Sequence, residues 1–192
     1  TLTLDLSDAT PGGDLVIIQG TSAATVINGN SGIDPLDLSA LGSQDVTLTG
    51  LGTTDGFNGF TAGGVSFLNM NVLAGSAAGT TDRLTGLNAA AEWAISGNTS
   101  GTYTSTNGLP YFGFENLTGG TARDVYHFLP GVSLPGVVDG GGGGDYLDYS
   151  AQASSVLVNL KAGKASLTAG VVNVQHVLGS GTEAYPHNGV DV

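Results

Sequence analysis

Short apolar runs, mostly alternating or β-branched, recur along the chain: Leu2-Leu4-Leu6, Leu15 to Ile18, Val46 to Leu48, Val65 to Phe67, Ala91 to Ile95, Val125 to Phe128, Val156-Val158-Leu160 and Val171 to Val174. Each has the length of a strand, and a period of two buries one strand face. Between them stand the turn signals Asn28-Gly29, Asn58-Gly59, Asn107-Gly108 and Asn188-Gly189, where the chain can reverse at low steric cost. Only Leu87 to Ile95 (LNAAAEWAI) strings helix formers together without a breaker. It reads as one helical turn or as a loop entering a strand.

A longer repeat lies over this pattern. Val26 to Ala40 (VINGNSGIDPLDLSA) aligns without a gap on Val137 to Ala151 (VVDGGGGGDYLDYSA), sharing Val, Gly, Gly, Asp, Leu, Asp, Ser and Ala. Asp14, Asp34, Asp55, Asp82, Asp124 and Asp145 each precede an apolar residue by two places and follow a small residue by two, at separations of 20, 21, 27, 42 and 21. A unit of roughly 20–21 residues accounts for these spacings if one coil lacks its Asp and another carries about six extra residues, within NVLAGSAAGTTD (71–82). Such a unit predicts an all-β fold, a right-handed parallel β-solenoid (β-helix) of about nine coils, each adding about 4.8 Å, and so a rod of roughly 40–45 Å. Residues 1–192 then form a single domain.

Composition narrows the functional classes. Glycine supplies 33 of 192 residues and charged residues only 10%, while 40% of the chain is hydrophobic, too apolar for a disordered linker. With 16 acidic and four basic residues the net charge is −12, which repels phosphate backbones and anionic lipid and argues against nucleic-acid partners. No apolar run is long enough for membrane insertion by a helix. The chain has no cysteine, hence no disulfide, thiolate metal site or Cys nucleophile. Its ends read as open coils, which predicts a segment of a longer repeat array or a filament subunit whose partners are adjacent repeats or copies of itself.

The stretch Phe114 to Ser150, followed by SSVLVNL and KASLTAGVVNVQHVLGSGTE, resembles repeats of giant secreted bacterial surface proteins related to the haemolysin-type (RTX) calcium-binding family and to filamentous-haemagglutinin-like adhesins. The resemblance covers about residues 114–184, with residues 1–113 a degenerate echo. It implies an extracellular, cell-surface scaffold whose glycine-aspartate turns bind calcium. A hard cation takes six to eight oxygens, and Asp139, Gly141, Gly143 and Asp145, with Asp124 about one coil earlier, are the candidate calcium residues. Asn28, Asn30 and Asp34 are their upstream counterparts. This sequence departs from consecutive nonapeptides, since its good copies stand 20 or more residues apart. The alternative is that the glycines make corners while Asp and Asn cap them.

Enzymatic readings find less support. Asp145 with Asp148, or Asp34 with Asp37, offers carboxylate pairs, but a spacing of three in a strand tends to send the side chains to opposite faces. His127, His176 and His187 make no local metal spacing, and no G-x-S-x-G elbow is present. Trp93, Tyr103, Tyr111, Phe112 and Phe114 are either a strip for stacking surface glycans or core filling. The sequence therefore reads as a structural or adhesive scaffold module of a bacterial surface or filament-forming protein, without catalytic activity. Its alternatives are a calcium-stabilised module and a β-helix that binds or degrades polysaccharide.

Overall fold

The computed structural model describes residues 2–5, 13–20, 25–76 and 81–180. In chain order the strands are β1 (Leu2–Asp5), β2 (Val16–Ile17), β3 (Thr25–Asn28), β4 (Pro35–Asp37), β5 (Asp45–Leu51), β6 (Phe57–Thr61), β7 (Val65–Met70), β8 (Val72–Ala74), β9 (Arg83–Thr85) and β10 (Ala91–Gly97). They continue with β11 (Ser100–Thr104), β12 (Gly108–Phe112), β13 (Asn116–Thr118), β14 (Asp124–Phe128), β15 (Leu134–Asp139), β16 (Tyr146–Asp148), β17 (Val158–Asn159), β18 (Lys164–Ala165), β19 (Thr168–Val172) and β20 (His176–Leu178). A single 3-10 turn, Leu160–Ala162, is the one helical element among the described residues, and no helix there is long and apolar enough to cross a membrane.

The strands form two nine-stranded mixed sheets and one small hairpin, β17-β18. The first sheet runs β1-β3-β7-β6-β5-β9-β13-β15-β19 and the second β2-β4-β8-β12-β11-β10-β14-β16-β20. The chain alternates between them, visiting the first sheet at β1, β3, β5 to β7, β9, β13, β15 and β19. Strands from different visits pair in parallel. The two sheets reach nine strands with seven visits each because two visits, β5-β6-β7 and β10-β11-β12, are three-stranded antiparallel meanders.

The meanders revise the periodicity. The wide separations before Asp82 and Asp124 arise from Asp45–Met70 and Ala91–Phe112, each of which fills three strand positions in a single visit. The expected insertion in 71–82 is not their source, although 77–80 lie outside the described residues. Asn58-Gly59, read as a turn, falls inside β6. Gly59 faces the core opposite Leu48 and Phe67, and the Phe67 ring occupies the space a Cβ there would need. LNAAAEWAI is a loop entering β10, and Leu6, His187 and Asn188-Gly189 lie outside the described residues.

Alternation places the core between the sheets. In β10, Ala91, Trp93 and Ile95 are buried while Glu92 and Ser96 face out. In the first sheet Val46, Leu84, Leu117, Val138 and Val171 stand in register across five strands, all nearly inaccessible. Facing them, Trp93, Tyr126 and Leu147 form a second column. Phe57 of one sheet meets Tyr103 of the other edge-on, ring centroids 5.6 Å apart, and Tyr103 meets Trp93 at 4.5 Å, so the two inner faces share one core. Burying rings of this size is the largest single apolar contribution available to so thin a fold. The proposed glycan strip is accordingly interior: Trp93, Tyr103, Tyr111 and Phe114 are fully buried, and only Phe112, 51% exposed, faces solvent.

Candidate functional site: the corner column and the outer face of the second sheet

Where the chain leaves the first sheet for the second, the corner must satisfy backbone N–H groups that no ladder reaches. The recurrent aspartates do this between levels. The Asp14 amide donates to Asp34 Oδ1 (2.8 Å) and the Asp34 amide to Asn71 Oδ1 (3.3 Å). Further along, the Asp124 amide donates to Asp145 Oδ1 and the Asp145 amide to Gln175 Oε1, both at 2.8 Å. The opposite corner repeats the device, with Gln44 N on Asp82 Oδ1 (2.6 Å) and Asp82 N on Glu115 Oε2 (2.8 Å). Each carboxylate or amide thus ties its own level to a neighbouring one.

The marked aspartates consequently do not form one column. Asp14, Asp34, Asp124 and Asp145 share a corner, Asp82 occupies the other, and Asp55 sits in the β5-β6 turn, accepting the Gly32 amide at 3.0 Å. The corner between β9 and β10 has no Asp; there the Leu87 amide donates to the Tyr103 hydroxyl (3.0 Å).

Five of the eight identities of the internal repeat acquire mechanical reasons. Asp34 and Asp145 are the buried caps, and Leu36 and Leu147 fill the core. Asp37 and Asp148 each accept the amide two residues on, from Ser39 and Ser150, at 2.8 Å. Gly32 and Gly143 have φ of 126° and 121°, a region favouring glycine. At Gly140 a Cβ would lie 2.7 Å from Asp145 Oδ2 and press on the Asn173 carbonyl, and Gly29 stands likewise against Asp34 and the Asn69 carbonyl.

Charge inside these corners is strained by desolvation. Asp124 is inaccessible to solvent, and burial, reinforced by nearby Asp145, pushes its carboxyl up to about 6 against hydrogen bonds from the Trp93 indole and Gly120 amide. Those bonds are Trp93 Nε1 to Oδ1, 2.9 Å, and Gly120 N to Oδ2, 3.0 Å. Burial also raises Asp145, with the charge of Asp139 adding to it. Glu115 is raised by burial in the same way.

The candidate calcium residues are brought together but already engaged. Asp124 uses both oxygens, Asp145 Oδ1 holds the Asp124 amide, and Asp139 Oδ1 accepts from Gly141 N (2.9 Å) and Asn173 Nδ2 (2.8 Å). Upstream, Asn28 Oδ1 accepts from Asn30 N and Asn69 Nδ2, Asn30 Oδ1 accepts from Asn28 Nδ2, and Asp34 Oδ1 accepts from Asp14 N. Gly141 and Gly143 hold positive φ. Six to eight free oxygens are what calcium requires, and Asp145 Oδ2 is the one buried carboxylate oxygen of the downstream turn without a hydrogen bond. No group of three or more His, Cys, Asp or Glu among the described residues could hold a metal.

A second polar cluster lies on the outer face of the second sheet, where no local motif announces it. Ala94, His127 and Asp148 stand in register on β10, β14 and β16, and Glu92, Val125, Tyr146 and His176 form the adjacent row. His127 Nδ1 lies 2.7 Å from Asp148 Oδ2, and Nε2 is 3.5 Å from Glu92 Oε2. Burial acts to raise the Asp148 carboxyl, but the Ser150 hydroxyl and amide and His127 outweigh it and hold it low. Tyr146 is packed between His176, centroids 4.4 Å apart, and the Arg123 guanidinium, 5.7 Å away. The signal for this cluster was register: residues 92, 127, 148 and 176 become neighbours only once the strands are aligned. The carboxylates of Asp145 and Asp148 do part company, one to the interior corner and one to this face.

The chain matches no protein-family model, no curated protein and no solved structure.

Proposed function

We propose that the chain is a parallel β-solenoid serving as an extracellular structural or adhesive scaffold of a bacterial surface or filament-forming protein. One observation carries the reading: successive levels are tied by side-chain acceptors at the corners, Asp145 on the Asp124 amide and Gln175 on the Asp145 amide. These bonds are spent on cohesion along the stacking axis, and the carboxylates that make them are withdrawn from solvent. A binding or catalytic protein would instead present such groups in an open groove.

The described sheets end in β1 and β2 on one side and β19 and β20 on the other. Apolar residues stand exposed there, among them Ile17 at 50%, Val172 at 47% and Leu178 at 46%. An edge of this kind accepts a further strand in parallel, so copies of the chain, or neighbouring repeats, stack head to tail. Electron microscopy of concentrated protein tests this directly. Linear arrays with an axial repeat near the sum of nine strand spacings, about 43 Å, are expected; dispersed monomers at every concentration would refute the stacking.

A further inference from the structure

The outer face of the second sheet changes character along its length. Ile17, Asp37, Ala74 and Phe112 stand in register on β2, β4, β8 and β12, and two places earlier on the same stretches come Leu15, Pro35, Val72 and Pro110. Both rows alternate with the buried Val16, Leu36, Leu73 and Tyr111 and so face outward. All but Asp37 are apolar, and Leu15 is 61%, Phe112 51% and Ile17 50% exposed. Farther along the same face stand Thr102, His127 and Asp148, a polar exterior. A contiguous apolar patch beside such a surface marks a place where something else docks.

We infer that this face pairs with the same face of a second copy and joins head-to-tail arrays side by side, an inference that rests on the stacking proposed above. Charge favours a copy as the occupant. The chain carries a net charge of −12, yet these rows hold one carboxylate and no basic residue, and Asp37 Oδ1 is engaged by the Ser39 amide. Over the rest of the surface like charge keeps copies apart. Shape favours a copy too: the side chains repeat at the strand spacing of about 4.8 Å, so those of one face drop between those of an identical face, with the sheets about 10 Å apart. Area sets the condition. Four strands span about 14 Å and the rows lie about 7 Å apart, roughly 200–300 Å² per copy, well short of the about 800 Å² per partner in a standard stable interface. Isolated copies therefore stay apart. In an array the patch recurs about every 43 Å, and a two-fold axis across the rods sets every patch of one against a patch of the other, so each contact after the first is intramolecular. Leu178, 46% exposed on the outer face of β20, enlarges the patch at each joint, where β20 of one copy meets β2 of the next.

The test is negative-stain electron microscopy of concentrated protein, wild type against Phe112→Glu and Val72→Glu, both on strands inside the sheet and away from its stacking edges. Wild-type rods are expected in side-by-side pairs, and more completely at high than at low sodium chloride, because screening relieves the repulsion between acidic surfaces. Each variant, with its circular dichroism unchanged, is expected to show single rods of the same axial repeat, the paired fraction falling about tenfold or more as an unpaired charge is forced into the contact. Wild-type arrays seen only as single rods would overturn the pairing and leave the stacking intact, whereas dispersed monomers would overturn both. Pairs that persist in both variants, or that dissolve as salt is raised, would show that another face or a charge contact holds them. Single wild-type rods that sediment with microcrystalline cellulose, and are released by Phe112→Glu, would give the face to a glycan instead.

Discussion

Replacing Asp124 by Asn tests whether the interior corners carry charge at a cost. Asp124 is raised from 3.8 to about 6 by burial and by Asp145, so the folded protein holds this proton more tightly than the unfolded chain. Stability then falls as pH rises through the window between those two values, because ionising the buried group requires desolvated charge. Each pH unit removes at most about 1.4 kcal/mol, and the whole window at most roughly 3 kcal/mol. The Asp124→Asn side chain keeps one acceptor and cannot ionise, adding a pH-independent offset on the order of 1 kcal/mol for the donor left unpaired. Glu115, also raised by burial, and Asp148, held low, contribute equally to both proteins. The difference curve reports Asp124 together with its coupling to Asp145. Urea unfolding followed by the fluorescence of Trp93, the single tryptophan, measures it at the hydrogen-bonded partner itself. The mutant is expected to gain on the wild type from about pH 4 to about pH 6 and then to hold a constant lead. A flat difference, or a mutant that loses ground as pH rises, would show that Trp93 and Gly120 stabilise the anion by at least as much as burial costs it.

Two further outcomes bear on the same corners. Gly140→Ala pushes a methyl against the Asn173 carbonyl and Asp145 Oδ2, whereas Gly144→Ala meets nothing nearer than His176 Nε2 at 3.8 Å; thermal unfolding should show a loss of about 1–3 kcal/mol for the first, as for other overpacked sites, and little for the second. Calcium added to metal-free protein is expected to leave the melting temperature unchanged, since the corner oxygens already accept amide protons; a rise of several degrees that disappears in Asp145→Asn would reinstate a calcium site.

What the sequence made legible was whatever depends on period. Strand positions such as Val46 to Leu48 and Val125 to Phe128 came from alternation, and the aligned segments around Asp34 and Asp145 do occupy equivalent corners. The meanders were hidden because an antiparallel return strand has the same two-residue alternation as a parallel one; β6 and β11 look like any other strand. Asn58-Gly59 misled for a packing reason, the Phe67 ring needing a residue without a Cβ. The acidic corners were recognised as special, yet an Asp that caps an amide and an Asp that binds a cation follow the same glycines. The His127 cluster was beyond reach, because its members are joined by register across levels, and register depends on how many strands each visit contributes.

The two meanders also govern how the molecule comes apart. Because β7 lies against β3 while β5 lies against β9, the polypeptide overshoots and then doubles back, in the manner of a backstitch. Unravelling from the amino-terminal side could release β1 and β3 in turn, but next it meets β7, fastened through β6 and β5 to material laid down later. Three strands must then tear away at once, so a fault opened at one extremity is arrested before it crosses the two sheets.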